Sequence, residues 1–363
     1  MLEDKLRRFY GFKLSDERHG FLYMNKTIRF VSLLLAAAML FSLTACMGRN
    51  ETWAVEVDGE QIPIGVYLYY QFNAYQEASS LATDTETPLL KQKIEEQDAA
   101  LWIHQKTIEY CRKKVATERE FARLEMALTD TDKTYIDSMT TYIMSMYGEI
   151  FAENGVGEES VRQACTTDQM TSNLFYKYYG ADGLEPVSET ALKDYYTQNY
   201  AIANMFGTSI AGLSEEDAQK ARDAAKAAAD DLKAGKGVAE TARKMTLAIN
   251  AEAEVDETAD DSAYLSTINK DDSGYPETFR TEVFQAAVGA PTVYDKDNYL
   301  LVYVRKDAAA ETEVFEGLKN SILQSIKGDE FAAKLSELAN ALTVNENTSA
   351  VRFYSVQKVK DFE

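Results

Sequence analysis

Three cysteines and two histidines are the only thiols and imidazoles in the 363 residues, and their placement limits the chemistry open to the chain. Cys46 ends an apolar run, whereas Cys111 and Cys165 fall within helical patterns. No Cys-x-x-Cys pair and no Cys/His cluster with metal-ligand spacing occurs, so no metal is expected. A disulfide between Cys111 and Cys165 requires Cα atoms within about 7 Å. Spacing does not fix that distance, and two buried free thiols are the expectation. His19 lies in the leading segment, and His104 stands between Trp102 and Lys106 on a helical stretch with no matching partner. A lone imidazole of this kind reads as a packed or surface residue rather than an acid-base catalyst. No glycine-rich phosphate loop of the Walker type is present, so neither ATP nor any other cofactor is expected.

The leading residues carry a different signal. Residues 1–23 are mixed and charged without a period and read as an upstream extension, with the biological start at Met24. A basic stretch, Met24-Asn25-Lys26-Thr27-Ile28-Arg29, precedes an apolar run over residues 30–43, which is shorter than the roughly 20 residues needed to span a bilayer. The run closes on Leu43-Thr44-Ala45-Cys46, which resembles the bacterial lipobox. That resemblance implies a signal peptide over 24–45, cleavage before Cys46, diacylation of its thiol and a short tether over 46–52. The protein would then be lipid-anchored on the extracytoplasmic face of the cell membrane.

The net charge of -21 argues against nucleic acid as a partner and would be repelled by anionic lipid head groups. Solubility alone accounts for such a surface.

Residues 53–64 alternate apolar and polar around Asp58-Gly59, the pattern of a strand, a tight turn and a second strand. A Tyr-rich helix follows from Gly65, and further helices are expected over 91–127, 130–154 and 158–179. An amphipathic run over 187–200 leads into an extended segment, 201–210. Ser214 and Asp217 form a capping-box pattern for a helix that stops at Gly235. A second helical piece at 238–245, a polar loop, a short helix from Pro276 to Phe284 and a buried strand at 299–304 complete this stretch. Two helices, 313–326 and 329–342, follow, separated at Lys327-Gly328-Asp329.

Val55-x-Val57-Asp58-Gly59-x-x-Ile62 leading into the Tyr-rich helix resembles the opening of SurA-like and PrsA-like foldases. Asn154-Gly155-Val156-Gly157 with Glu158 to Arg162 is similar to an internal junction of the same family. Residues 187–307 resemble a parvulin-type peptidyl-prolyl isomerase domain through Tyr195-Tyr196, Pro276-Glu277-Thr278-Phe279, Phe284, Val288-Gly289 and the closing strand. The resemblance implies an α+β protein. A mostly helical chaperone module would be built from residues 53–186 and 311–353, with a small parvulin-like domain inserted at 187–307.

Active parvulins carry one His in the first strand and another in the last. Here those positions fall near Asn204 to Phe206 and on Leu300, and no His occurs between Val187 and Glu363. No catalytic residue is assigned, and Met205, Phe279, Phe284 and Leu300 are expected to line a degenerate pocket. Met139, Tyr142, Met146 and Tyr147 could contact clients, since flexible Met beside amphipathic Tyr suits a surface that accepts many apolar sequences. Their spacing also fits ordinary core, which is the expectation for most of them.

The function implied is a chaperone or foldase for unfolded and newly exported polypeptides, with isomerase activity weak or lost. A working isomerase is the alternative, because rotation about an X-Pro bond needs no nucleophile. A solute-binding lipoprotein is a further alternative, against which the long helical N-terminal half argues.

Overall fold

The computed structural model describes residues 52–272 and 274–358. The upstream extension, the signal peptide, Cys46 and nearly all of the tether lie outside the described residues.

β1 (Trp53–Val57) and β2 (Glu60–Pro63) pair antiparallel across Asp58 and Gly59, whose φ values of 51° and 90° are both left-handed. An Asp-Gly pair tolerates that geometry, which matches the right-handed twist of the flanking strands. α1 (Ile64–Leu81) is buried on nearly every side, from Val66 through Tyr75, and forms the axis around which the helical body packs.

α2 (Ala99–Arg123) starts eight residues later than the sequence pattern suggests. Glu95 and Glu96 adopt φ values of 49° and 68° and turn a two-stranded hairpin, β3 (Lys93–Ile94) with β4 (Gln97–Asp98). The Asp98 carboxylate then caps α2, accepting from the amides of Ala100 at 3.1 Å and Leu101 at 3.2 Å. α3 (Asp130–Asn154) opens on a Thr129/Asp132 capping box and runs antiparallel to α4 (Glu158–Tyr179).

The sheet region begins with α5 (Glu189–Asn199), followed by β5 (Tyr200–Ser209), α6 (Glu215–Lys233) and α7 (Val238–Ile249). Ser214 caps α6 as expected, its Oγ accepting from the Asp217 amide at 3.1 Å, but the Asp217 carboxylate takes the Ser214 hydroxyl at 2.7 Å rather than the Ser214 amide that would complete a capping box. The polar loop contains β6 (Leu265–Asn269), after which come α8 (Glu277–Gln285), β7 (Pro291–Lys296) and β8 (Tyr299–Lys306). The four strands are ordered β6-β5-β8-β7, and every neighbouring pair is antiparallel. Gly207 is needed where β5 approaches β8, because a Cβ there would sit 2.2 Å from the Leu300 carbonyl oxygen.

Side chains alternate between the two faces of this sheet. Ala201, Ala203, Leu301 and Tyr303 pack towards Phe279 and Val283 of α8, while Leu300 and Val302 pack against the alanines of α6 and Met245 of α7.

The chain then returns through α9 (Thr312–Asn340), β9 (Val344–Glu346) and α10 (Thr348–Phe353). α9 is one continuous helix through Gly328, not two. An interior glycine costs a helix about 1 kcal/mol. Leu323 before it and Phe331 after it are anchored in the same apolar cluster with Phe175, Tyr178 and Tyr179, which outweighs that cost. β9 pairs antiparallel with β1, so the first and last strands of the described chain share one sheet, ordered β2-β1-β9. At the junction of the helical body and the four-stranded sheet, Tyr196 and Tyr200 pack with Phe315 and Ile322 of α9.

Candidate functional site

α3 has two apolar sides. Ile136, Thr140 and Phe151 are buried against the body, and Ile143 and Met144 pack beside them. Roughly a third of a turn away, Tyr135, Met139, Tyr142 and Met146 follow one another at spacings of four, three and four, which stacks them on one helical face. Tyr135 is 55 % exposed, Tyr142 59 % and Met146 58 %, and only Met139 is partly covered by the core. Tyr147 lies off this stripe with its ring edge-on to Phe72 at 5.0 Å. Of the four proposed client contacts, the structure therefore brings Met139, Tyr142 and Met146 into line and sets Tyr147 apart. Tyr135 was missed, although the four-three-four spacing could have revealed it.

Behind the stripe, Tyr69, Tyr70, Phe72, Tyr110 and Phe151 form a ring cluster with centroid separations between 5.1 and 6.1 Å. Asp168 of α4 lies close enough for its charge to oppose ionisation of Tyr69, Tyr70 and Tyr110, whose hydroxyls are raised mainly by burial. Burial also pushes the Asp168 carboxyl up to about 6, although part of that side chain remains open to solvent. Cys111 and Cys165 are both buried free thiols, and burial raises Cys111 to about 12, far from the thiolate range.

On the α8 face of the four-stranded sheet, Phe279 meets Tyr294 at 5.1 Å and Tyr303 at 5.6 Å, both edge to face. All three rings are fully buried. Met205 and Phe284 are partly buried at the margin of the same cluster. The three rings pack directly on one another, and no imidazole is among them. A polar link joins α8 to the β7–β8 turn instead: Tyr294 Oη donates to Asp297 at 2.8 Å, and Thr278 Oγ1 bonds to both.

Leu300 does not belong to this group. It points to the opposite side of the sheet, into the α6 and α7 helices, because alternate residues of a strand face opposite ways and the pairing sets Met205 against Tyr303. Leu301 is the β8 residue of that pair that joins Met205 and Phe279.

His104 is not isolated. Its Nδ1 lies 3.4 Å from the Tyr67 hydroxyl, and its Nε2 lies 3.3 Å from the Glu346 carboxylate, contributed by β9. No local signal could have found a partner so distant in sequence. Among the described residues no group of His, Cys, Asp and Glu side chains is placed to hold a metal ion, and no helix is long and apolar enough to cross a membrane.

The molecule is thus a mixed α and β protein, with a helical body that both ends of the described chain complete and an antiparallel sheet covered by helices on both faces. No family model and no curated protein matches the sequence. Among solved structures, the chain is similar to the foldase protein PrsA from Streptococcus pneumoniae, with 16 % identity over 70 % of this chain and 89 % of that one and a TM-score of 0.38. PrsA from Lactococcus lactis matches at 14 % identity over 85 % of this chain and 99 % of that one, with a TM-score of 0.32. PrsA from Bacillus subtilis matches at 14 % identity over 64 % and 81 %, with a TM-score of 0.30.

Proposed function

We propose that this protein is a lipid-anchored extracytoplasmic chaperone of the foldase type, holding newly exported polypeptides while they fold, with isomerase activity weak or lost. The observation that carries this reading is the open stripe of Tyr135, Met139, Tyr142 and Met146 on α3. Large apolar side chains aligned on one helix face and left in water offer reversible burial to a client's exposed segments, at about 25 cal/mol per Å² removed from water. Tyr and Met suit this use because both adapt to varied partners.

The absence of any His from residue 187 onward, and the rings that fill the α8 face of the sheet, support weak isomerase chemistry. The Leu43-Thr44-Ala45-Cys46 sequence supports the anchor, with Cys46 as the lipidated residue. Labelling cells with a radioactive fatty acid tests it: label should enter the protein and be lost with Cys46→Ala.

The test of the main reading pairs two assays on the same preparation. Aggregation of a chemically unfolded protein should be suppressed at near-stoichiometric amounts. The slow, proline-limited refolding phase of a second protein should not be accelerated at substoichiometric amounts, where only catalysis acts. Acceleration would mean that the His-free sheet still works as an isomerase, and failure of both assays would overturn the foldase reading.

A further inference from the structure

A polar cavity of about 380 Å³ opens where α2 meets the last turns of α9. From α2 it is lined by Gln105, Ile108, Glu109, Arg112 and Lys113, whose spacings of three, one, three and one put them on one helical face. Ser336, Ala339 and Asn340 line it from α9. One turn beyond Arg112, Ala116 packs with Leu335 and Ala339 and holds the two helices close.

Arg112 sets this cavity apart. A half-buried guanidinium is ordinarily paired, because partial removal from water costs the charge some of its hydration. The other half-buried arginines among the described residues are paired: Arg162 with Asp137, Arg222 with Asp295, and Arg243, Arg280 and Arg305 with backbone carbonyls. Arg112 is half-buried and makes no hydrogen bond or ion pair. Its Nε is closed off from solvent, so the two terminal nitrogens are the part of the fork that a ligand can reach. Glu109, the acid on the same face, is already held by Lys113 at 2.6 Å and Lys106 at 3.5 Å.

We propose that this cavity binds a carboxylate carried on a short alkyl chain. A guanidinium presents two parallel N–H groups that match the two oxygens of a carboxylate, and its charge is otherwise uncompensated here. The amides of Gln105 and Asn340 and the Ser336 hydroxyl supply further donors, and Ile108 and Ala339 supply apolar surface for the methylenes. With a net charge of -21, general attraction does not gather anions on this protein, so binding would report the local fork. A free carboxylic acid and the C-terminal carboxylate of a bound polypeptide share this chemistry. The site stands whether or not the chain holds clients, since its ligand is measured directly.

The test is calorimetric titration of the full-length protein with sodium pentanoate, alongside n-pentanol. Saturable single-site binding of pentanoate is expected, with pentanol at least tenfold weaker. Arg112→Gln should weaken pentanoate tenfold or more. Asn340→Asp, which leaves Arg112 in place and sets a competing carboxylate at the cavity rim, should do the same. Lys226→Gln, which removes one exposed positive charge from α6, should leave binding unchanged and controls for net charge. Competition by N-acetyl-Ala-Ile-Ala with a free C-terminal carboxylate, absent with its C-terminal amide, would identify a polypeptide end as the source; pentanoate binding without peptide competition would identify a free acid. No saturable binding, equal binding of pentanol, or losses with Arg112→Gln and Asn340→Asp no greater than with Lys226→Gln would overturn the assignment. Aggregation suppression measured on the same variants separates the two readings, because holding without pentanoate binding removes only this site and pentanoate binding without holding removes only the chaperone function.

Discussion

Replacing Tyr135, Tyr142 and Met146 together by Ser should weaken client holding without unfolding α3. Each side chain is a little over half exposed, at 55 %, 59 % and 58 %. A large side chain buries about 150–250 Å² when fully covered, so roughly 100 Å² of each remains available. Complete coverage of the three would yield about 7 kcal/mol at roughly 25 cal/mol per Å². Ordering a flexible client and imperfect coverage offset most of that gain, leaving about 2 kcal/mol. The concentration that half-suppresses aggregation should therefore rise about 30-fold. Light scattering from an unfolded protein diluted into buffer gives that concentration. Exposed substitutions change stability by about 0.5 kcal/mol or less, so the helical circular dichroism and the melting curve should be retained. Tyr176→Ser with Leu338→Ser removes exposed apolar groups elsewhere, at 40 % and 38 % exposure, and serves as the control. A triple variant that suppresses aggregation within twofold of the unaltered protein would refute the stripe as the holding surface, as would an equal loss in the control.

Three further outcomes follow from packing and charge. Phe279→Ala should cost about 3–5 kcal/mol, because it opens a cavity between Tyr294 and Tyr303, and chemical denaturation would register the loss. Leu300→His should destabilise by about 2–3 kcal/mol without conferring isomerase activity, since it places a polar ring among the α6 alanines; a refolding assay that showed acceleration would contradict this. Asp168→Asn should stabilise at pH 7.5 and do little at pH 4. Burial raises this carboxyl from 3.8 to about 6, so the folded state is penalised progressively as pH rises from about 4 through 6. With the side chain partly open to solvent, the gain should be about 1 kcal/mol or less, read from melting curves at the two pH values.

Local punctuation made several elements legible in the sequence. Thr129 and Asp132 cap α3, and the Asn154-Gly155-Val156-Gly157 turn separates it from α4, so both helices have the expected bounds. The Asp58-Gly59 hairpin was equally clear. Gly328 misled, because local propensity carries no information about Leu323 and Phe331 holding both sides of it in place. β6 was hidden because Leu265-Ser266-Thr267-Ile268-Asn269 is short and polar enough to read as loop. Leu300 was placed on the correct strand, but the face a strand residue presents depends on pairing register, which the linear pattern does not contain. The His104–Glu346 contact was invisible for the same reason, since it depends on how β9 pairs with β1.

The sharing of one sheet by the first and last strands also sets an order of events. Asp58 and Thr343, bonded side chain to side chain, are 285 residues apart, so the clasp cannot form until Thr343 has been made. α1 emerges early, yet the α9, β9 and α10 surfaces that complete its surroundings emerge only after the four-stranded sheet. Closing a loop of that length costs about 5 kcal/mol plus a constant. The helical body would therefore spend its synthesis open and close late, with folding of the intervening sheet region able to shorten the loop beforehand.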